Sequence, residues 1–82
     1  MNKRAMNLEI ISSEGVVFRG EVTKVTLPGE LGSFTVLEDH ASLLSTLSAG
    51  VIEYETDGEL KTVNIEGGFV DVNNNRVAVC LR

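Results

Sequence analysis

The stretch VIEYETDGELKTVNI, Val51–Ile65, decides the fold. At its centre, Asp57-Gly58 is a favoured two-residue hairpin loop, because both residues tolerate positive φ and the resulting turn matches the twist of its flanking strands. If those two residues are the loop, Thr56 faces Glu59 and the rest of the register follows. Ile52 then sits opposite Val63, Tyr54 opposite Lys61, and Glu53 opposite Thr62. Apolar meets apolar on one face and polar meets polar on the other, as cross-strand pairing requires. The spacing therefore predicts a β-hairpin, and the question becomes whether the rest of the chain reads the same way.

It does, on both sides. Upstream, NLEII (residues 7–11) alternates Leu8 and Ile10 with polar neighbours, and Ser12–Gly15 supplies turn chemistry. VVFRGEVTKVTLP (residues 16–28) places Val16, Phe18 and Val22 in one parity and Val25 and Leu27 in the other. A strand changes its inward set only by inserting a residue or bending, so a bulge or kink is predicted between Gly20 and Val25. Pro28-Gly29 ends that strand, and SFTVL (residues 33–37) begins another. Downstream, GFVDV (residues 68–72) and RVAVCL (residues 76–81) flank three asparagines, Asn73–Asn75, as a second hairpin whose register the asparagines leave open. GGF, Gly67–Phe69, reads as a strand bend. The one helix-like segment is DHASLLSTL (residues 39–47), where Leu43, Leu44 and Leu47 share a helical face and Asp39 or Ser42 could cap a turn. Seven or more short strands with regular turn signals predict an all-β protein, a flattened β-sandwich of short antiparallel strands. Residues 1–82 form one domain, since a second would lack a core of its own.

Composition narrows the function classes. The net charge of -5, with seven scattered basic residues, argues against nucleic acid, which is held by clustered Lys and Arg. Three Phe and one Tyr are too few for a base-stacking platform. Cys80 is the single cysteine, so an internal disulfide or a cysteine zinc site is ruled out. Its strand neighbours Val79 and Leu81 suggest a half-buried thiol acting as a small hydrophobe, and a reducing compartment fits best. No apolar run reaches the ~18–20 residues needed to cross a bilayer. MNKRAMN has basic residues but no hydrophobic stretch after it, so it does not read as a signal peptide. These features predict a soluble, cytoplasmic protein.

Any catalytic reading begins with His40, the only histidine. Ser42 and Ser45 lie close in sequence and Asp39 could orient the ring, but proximity in sequence is not the geometry a nucleophile–base pair needs. Glu38, Asp39 and His40 are consecutive, and on an extended segment they point alternately, so they cannot converge on one ion. Gly67-Gly68 lacks the following helix of an anion-binding loop. The expectation is a protein without catalytic, cofactor-binding or metal-binding residues. What remains is surface. Leu43 and Leu44 either plug one end of the sandwich, with His40 capping the turn, or dock on another protein together with the PGELGS loop (residues 28–33). Both readings stay open on composition alone.

The ordered residues then resemble a known family. Glu14-Gly15 with Val17-Phe18, Leu27–Gly29, Gly32, Val36-Leu37, His40-Ala41, Leu43-Leu44, Gly67–Phe69 with Val72, and Arg76–Val79 run in the order of a characteristic pattern. That pattern belongs to the amino-terminal domain of the epsilon subunit of bacterial F-type ATP synthases. The resemblance implies a non-catalytic central-stalk subunit that clamps gamma to the ring of membrane c subunits, so that ion-driven rotation powers ATP synthesis. It implies a ring-facing zone of Gly29, Glu30, Leu31, Gly32, Ser33, Phe34, Thr35, Glu38, Asp39 and His40. It also implies a gamma-facing zone of Ser12, His40, Leu43 and Ser45. No cofactor or small-molecule substrate is implied. Its place would be peripheral, on the cytoplasmic side of the cell membrane, with membrane association only through the complex. Two departures stand out: the usual PGH is Glu38-Asp39-His40, and the proline after His-Ala is Ser42, which implies a freer and more negative loop. Relatives continue beyond the position of Arg82 into a helical hairpin with inhibitory and, in some members, ATP-binding roles, which residues 1–82 do not include. The alternative is an unrelated sandwich adaptor, or a homodimer joined by an open sheet edge.

Overall fold

A computed structural model of the chain describes residues 5–82. Nine strands account for most of them: β1 (Met6–Ser12), β2 (Gly15–Val22), β3 (Lys24–Gly29), β4 (Gly32–Val36), β5 (Leu43–Leu47), β6 (Gly50–Thr56), β7 (Glu59–Ile65), β8 (Gly68–Asn73) and β9 (Arg76–Leu81). They join in one sheet of order β2-β1-β9-β8-β5-β3-β6-β7, with β4 on β3. Between β5 and β3 the ladder narrows to a single pair, Gly29 with Leu47. There the sheet turns a corner and its two parts face each other. Across the resulting core, the rings of Phe18 on β2 and Tyr54 on β6 lie 4.4 Å apart between centroids. The sandwich measures 38 × 24 × 18 Å, flattened as the sequence predicts.

The hairpin register agrees at every position read from the sequence: Ile52 with Val63, Glu53 with Thr62, Tyr54 with Lys61, Thr56 with Glu59. Asp57 and Gly58 both take positive φ, 52° and 76°, as a two-residue loop of this type demands. The core comes from strand alternation. Leu8 and Ile10 of β1, Val70 and Val72 of β8, and Val77 and Val79 of β9 meet Val25 and Leu27 of β3, Val36 of β4 and Ile52 of β6, all buried. Among the described residues no charged or polar side chain is buried, so the interior is purely hydrophobic.

The expected break in parity is present. β2 ends at Val22, Thr23 bends the chain, and β3 resumes with Val25 inward. Thr23 fixes the bend, its N–H donating to the Glu55 carbonyl (2.9 Å) and its Oγ1 to Glu55 Oε1 (2.8 Å). A second irregularity escaped the sequence. Ile10 pairs with Phe18 but Ile11 pairs with Val16, so Val17 is an extra residue in β2. Gly67 and Gly68 both sit at φ 153°, confirming the bend. Gly68 has no alternative, because a Cβ there would overlap the Cys80 carbonyl oxygen.

Three expectations need correction. Residues 43–47 form strand β5, not a helical turn, paired in register with β8 from Leu43–Val72 to Leu47–Gly68. Strand parity sends Leu43 and Leu47 inward and leaves Leu44 76% exposed, splitting the shared face that a helix would have given. Cys80 is exposed rather than half-buried, because its inward neighbours Val77 and Val79 assign it to the outer face. One pair, β1 with β9, is parallel. The reading of the basic amino terminus falls partly on residues 1–4, outside the described residues.

Candidate functional site

The register fixes where each predicted contact residue lies. Running Asn7–Arg76, Asn73–Arg76 and Leu43–Val72 along their ladders puts the start of β1, the Asn74-Asn75 turn and the start of β5 at one end of the sandwich. Ile11–Cys80, Gly68–Leu81, Leu47–Gly68 and Gly29–Leu47 define the opposite end. The segment Gly29, Glu30, Leu31, Gly32, Ser33, Phe34 and Thr35 is the β3–β4 hairpin at that opposite end, closed by Glu30-Leu31 between the paired Gly29 and Gly32. Two bonds clamp it to β5: the Glu30 N–H donates to the Thr46 carbonyl (3.2 Å) and the Ser48 N–H to the Pro28 carbonyl (2.8 Å). Leu31 projects from the tip at 105% exposure. Phe34 turns back and packs on the core.

Glu38, Asp39 and His40 lie at the Asn-turn end, so the predicted ring-facing set is divided between the two ends. The five residues of β5 alone separate them by roughly 13–16 Å. Their loop is not free. Asp39 takes φ 65°, a left-handed conformation, and its N–H donates to Asn75 Oδ1 at 2.6 Å. Asn75 Nδ2 returns a bond to Asp39 Oδ1 (3.3 Å), and Ser42 Oγ donates to Asn73 Oδ1 (3.2 Å). His40 is fastened locally. Its N–H donates to the Leu37 carbonyl (3.1 Å), and Nδ1 lies 2.6 Å from the Ala41 carbonyl, which can only accept, so Nδ1 carries the proton. Ser42 and Ser45 are turned elsewhere: Ser42 to Asn73 and Ser45 Oγ to the Thr46 carbonyl. The arrangement is a braced surface loop, and its groups do not converge on a reacting atom.

Of the gamma-facing set, Ser12 ends β1 at the opposite end, where its Oγ binds the Gly15 carbonyl and accepts from the Glu14 N–H, making the β1–β2 turn. Leu43 and Ser45 lean toward the interior. Between Ser12 and His40 stretches an outer face that the sequence reading missed. In one row across five strands lie Thr46, Phe69, Cys80, Ile11 and Val16. Phe69 is 53% exposed and Val16 50%. Leu44 and Ala78 lie in the adjoining row, on either side of Asp71. A shallow, mostly apolar depression of about 510 Å³ opens between Thr46, Phe69, Cys80 and Leu81, with Arg82 also lining it. The signal was present: once β8 and β9 are strands, Phe69 and Cys80 fall in the parity opposite Val70 and Val79. The adjoining row continues from Ala78 to Glu9 and Arg19, with Arg19 Nε donating to Glu9 Oε2 at 2.7 Å.

Among the described residues, no helix is long and apolar enough to cross a membrane. The family described as "ATP synthase, Delta/Epsilon chain, beta-sandwich domain" matches residues 5–82. An ATP synthase epsilon chain of a Nitratiruptor species is 50% identical over 72 residues, covering 87% of this chain and 56% of its own length. One from Leptospira borgpetersenii serovar Hardjo-bovis is 39% identical over 74 residues, covering 90% of this chain and 58% of its own. This chain thus spans less than three-fifths of the length of those relatives. A chain in the Euglena gracilis mitochondrial ATP synthase structure (OSCP/F1/c-ring, rotational state 1) superposes with TM-score 0.89 at 23% identity, covering 99% of this chain and 52% of that one. Another, from the central stalk and c-ring of the Tetrahymena thermophila enzyme, gives 0.80 at 16%, covering 99% and 66%. At those identities the two structures speak to the fold alone.

Proposed function

The chain belongs to the β-sandwich family of ATP synthase delta/epsilon chains, and from that premise we propose that it is the sandwich domain of a central-stalk subunit, coupling gamma to the membrane c ring. It performs no catalysis. It transmits torque, so that ion-driven rotation powers ATP synthesis in the assembled complex, at the cytoplasmic side of the cell membrane. The observation that carries this reading is the apolar outer face of β5, β8, β9 and β1, bounded by Ser12 at one end and the His40 loop at the other. Gamma packs on that face, with Leu44, Phe69, Ile11 and Cys80 supplying apolar contact in place of the inward-leaning Leu43 and Ser45. The c ring meets the projecting Gly29–Thr35 hairpin. Glu38, Asp39 and His40, at the far end, belong to the gamma side.

A sheet ladder suits this task, because many backbone hydrogen bonds share any load across it. A homodimer built by edge pairing is disfavoured: β2 carries the extra Val17, and edge strand β7 carries exposed Lys61. The test is sedimentation of the purified chain with and without purified gamma subunit. A monomer that forms a one-to-one complex at micromolar concentration is expected. Failure to bind gamma at that concentration, or a tight homodimer that excludes it, overturns the reading.

A further inference from the structure

Asp39 is held by bonds that come from far along the chain. Its backbone is left-handed, a conformation that Asp tolerates but does not prefer, and the residue that grips it, Asn75, lies 36 positions downstream in the β8–β9 turn. Asn75 uses both ends of its amide on this one partner, Oδ1 accepting the Asp39 N–H and Nδ2 donating to the Asp39 carboxylate. Its own backbone is anchored independently, since its carbonyl accepts the Asn7 N–H at 2.9 Å from the start of β1. The side chain is therefore spare as far as the hairpin is concerned. The turn needs only the left-handed φ of 61°, which glycine supplies equally well.

We infer that Asn75 is a positioning residue, a latch that sets the orientation of the His40 loop for docking on gamma, with Ser42–Asn73 as a second, weaker catch. The inference rests on the central-stalk reading of that loop. It explains how a loop carrying Asp39, rather than glycine, at a left-handed position keeps one shape.

The experiment uses the whole chain and purified gamma subunit, with Asn75→Gly as the variant, because it keeps the turn and removes only the amide. Hydrogen exchange of the Asp39 amide is expected to accelerate about tenfold, while the amides of β8 and β9 keep their protection. Affinity for gamma is expected to fall about three- to tenfold. Parental affinity in Asn75→Gly overturns the inference. So does a loss of affinity accompanied by faster exchange across β8 and β9, because Asn75 would then act only through the hairpin. If the parent itself fails to bind gamma, the functional reading falls, and the exchange measurement alone judges the latch: unchanged exchange at Asp39 removes it.

Discussion

The β6–β7 and β8–β9 hairpins close with the same kind of turn and serve different ends. In the first, Asp57 and Gly58 take φ of 52° and 76°; in the second, Asn74 and Asn75 take 51° and 61°. Both are two-residue loops with paired flanking residues, Thr56–Glu59 and Asn73–Arg76. The first hairpin lies at the margin of the sheet, with β7 unpaired on its outer side. The second lies between β5 and β1, buried on one face and with Phe69 and Cys80 at one end of the other, and its turn side chain holds a distant loop. Identical turn chemistry thus says how a hairpin closes and nothing about what it is for. Its place in the strand order decides that.

The sharpest break should come where β8 begins. Gly68→Ala would drive a methyl group into the Cys80 carbonyl, and neither backbone can yield without parting the ladder. Urea denaturation should show a loss of about 3 kcal/mol or more, enough to unfold a domain this small at room temperature. Next is Phe69→Asp on the outer face. It should leave the urea midpoint close to that of the parent but weaken gamma binding about ten- to a hundredfold by calorimetry. Leu60→Asp, an exposed change on the marginal hairpin, should leave binding unaltered; equal losses from both would erase the distinction between the hairpins. The smallest effect is expected at Gly58→Ala. No atom lies within 4 Å of the added Cβ, so only the backbone conformation resists, and the cost should be about 1–2 kcal/mol by urea denaturation, with gamma affinity intact.

The two hairpins also mark what a reader of the sequence can and cannot obtain. Asp57-Gly58 has one preferred placement, so its register followed from local chemistry. Three consecutive asparagines offer more than one equivalent placement, and only tertiary pairing chooses Asn74-Asn75. The change of parity between Val22 and Val25 announced the bend at Thr23, because it is written into neighbouring residues. The helical reading of Leu43, Leu44 and Leu47 failed for a related reason: five residues with leucines at those spacings satisfy either period, and pairing with β8 settles it. The parallel β1–β9 pair and the Asp39–Asn75 latch depend on residues remote in sequence, and no local pattern encodes them. For the candidate site, the family pattern pointed to the hairpin tip and the His40 loop as contact zones, whereas the outer face between Ser12 and His40 became visible only when five strands were laid side by side.

The parallel pairing of β1 and β9 has a consequence for how the protein is made. Asn7 is in register with Arg76, so β1 can pair with β2 as soon as both are made, but its other edge stays open until β9 has emerged. Until then β1 offers Leu8 and Ile10 to any passing extended segment. Long-range closure of this kind is slow. Nascent chains of this protein should thus rely on holding factors until β9 has emerged.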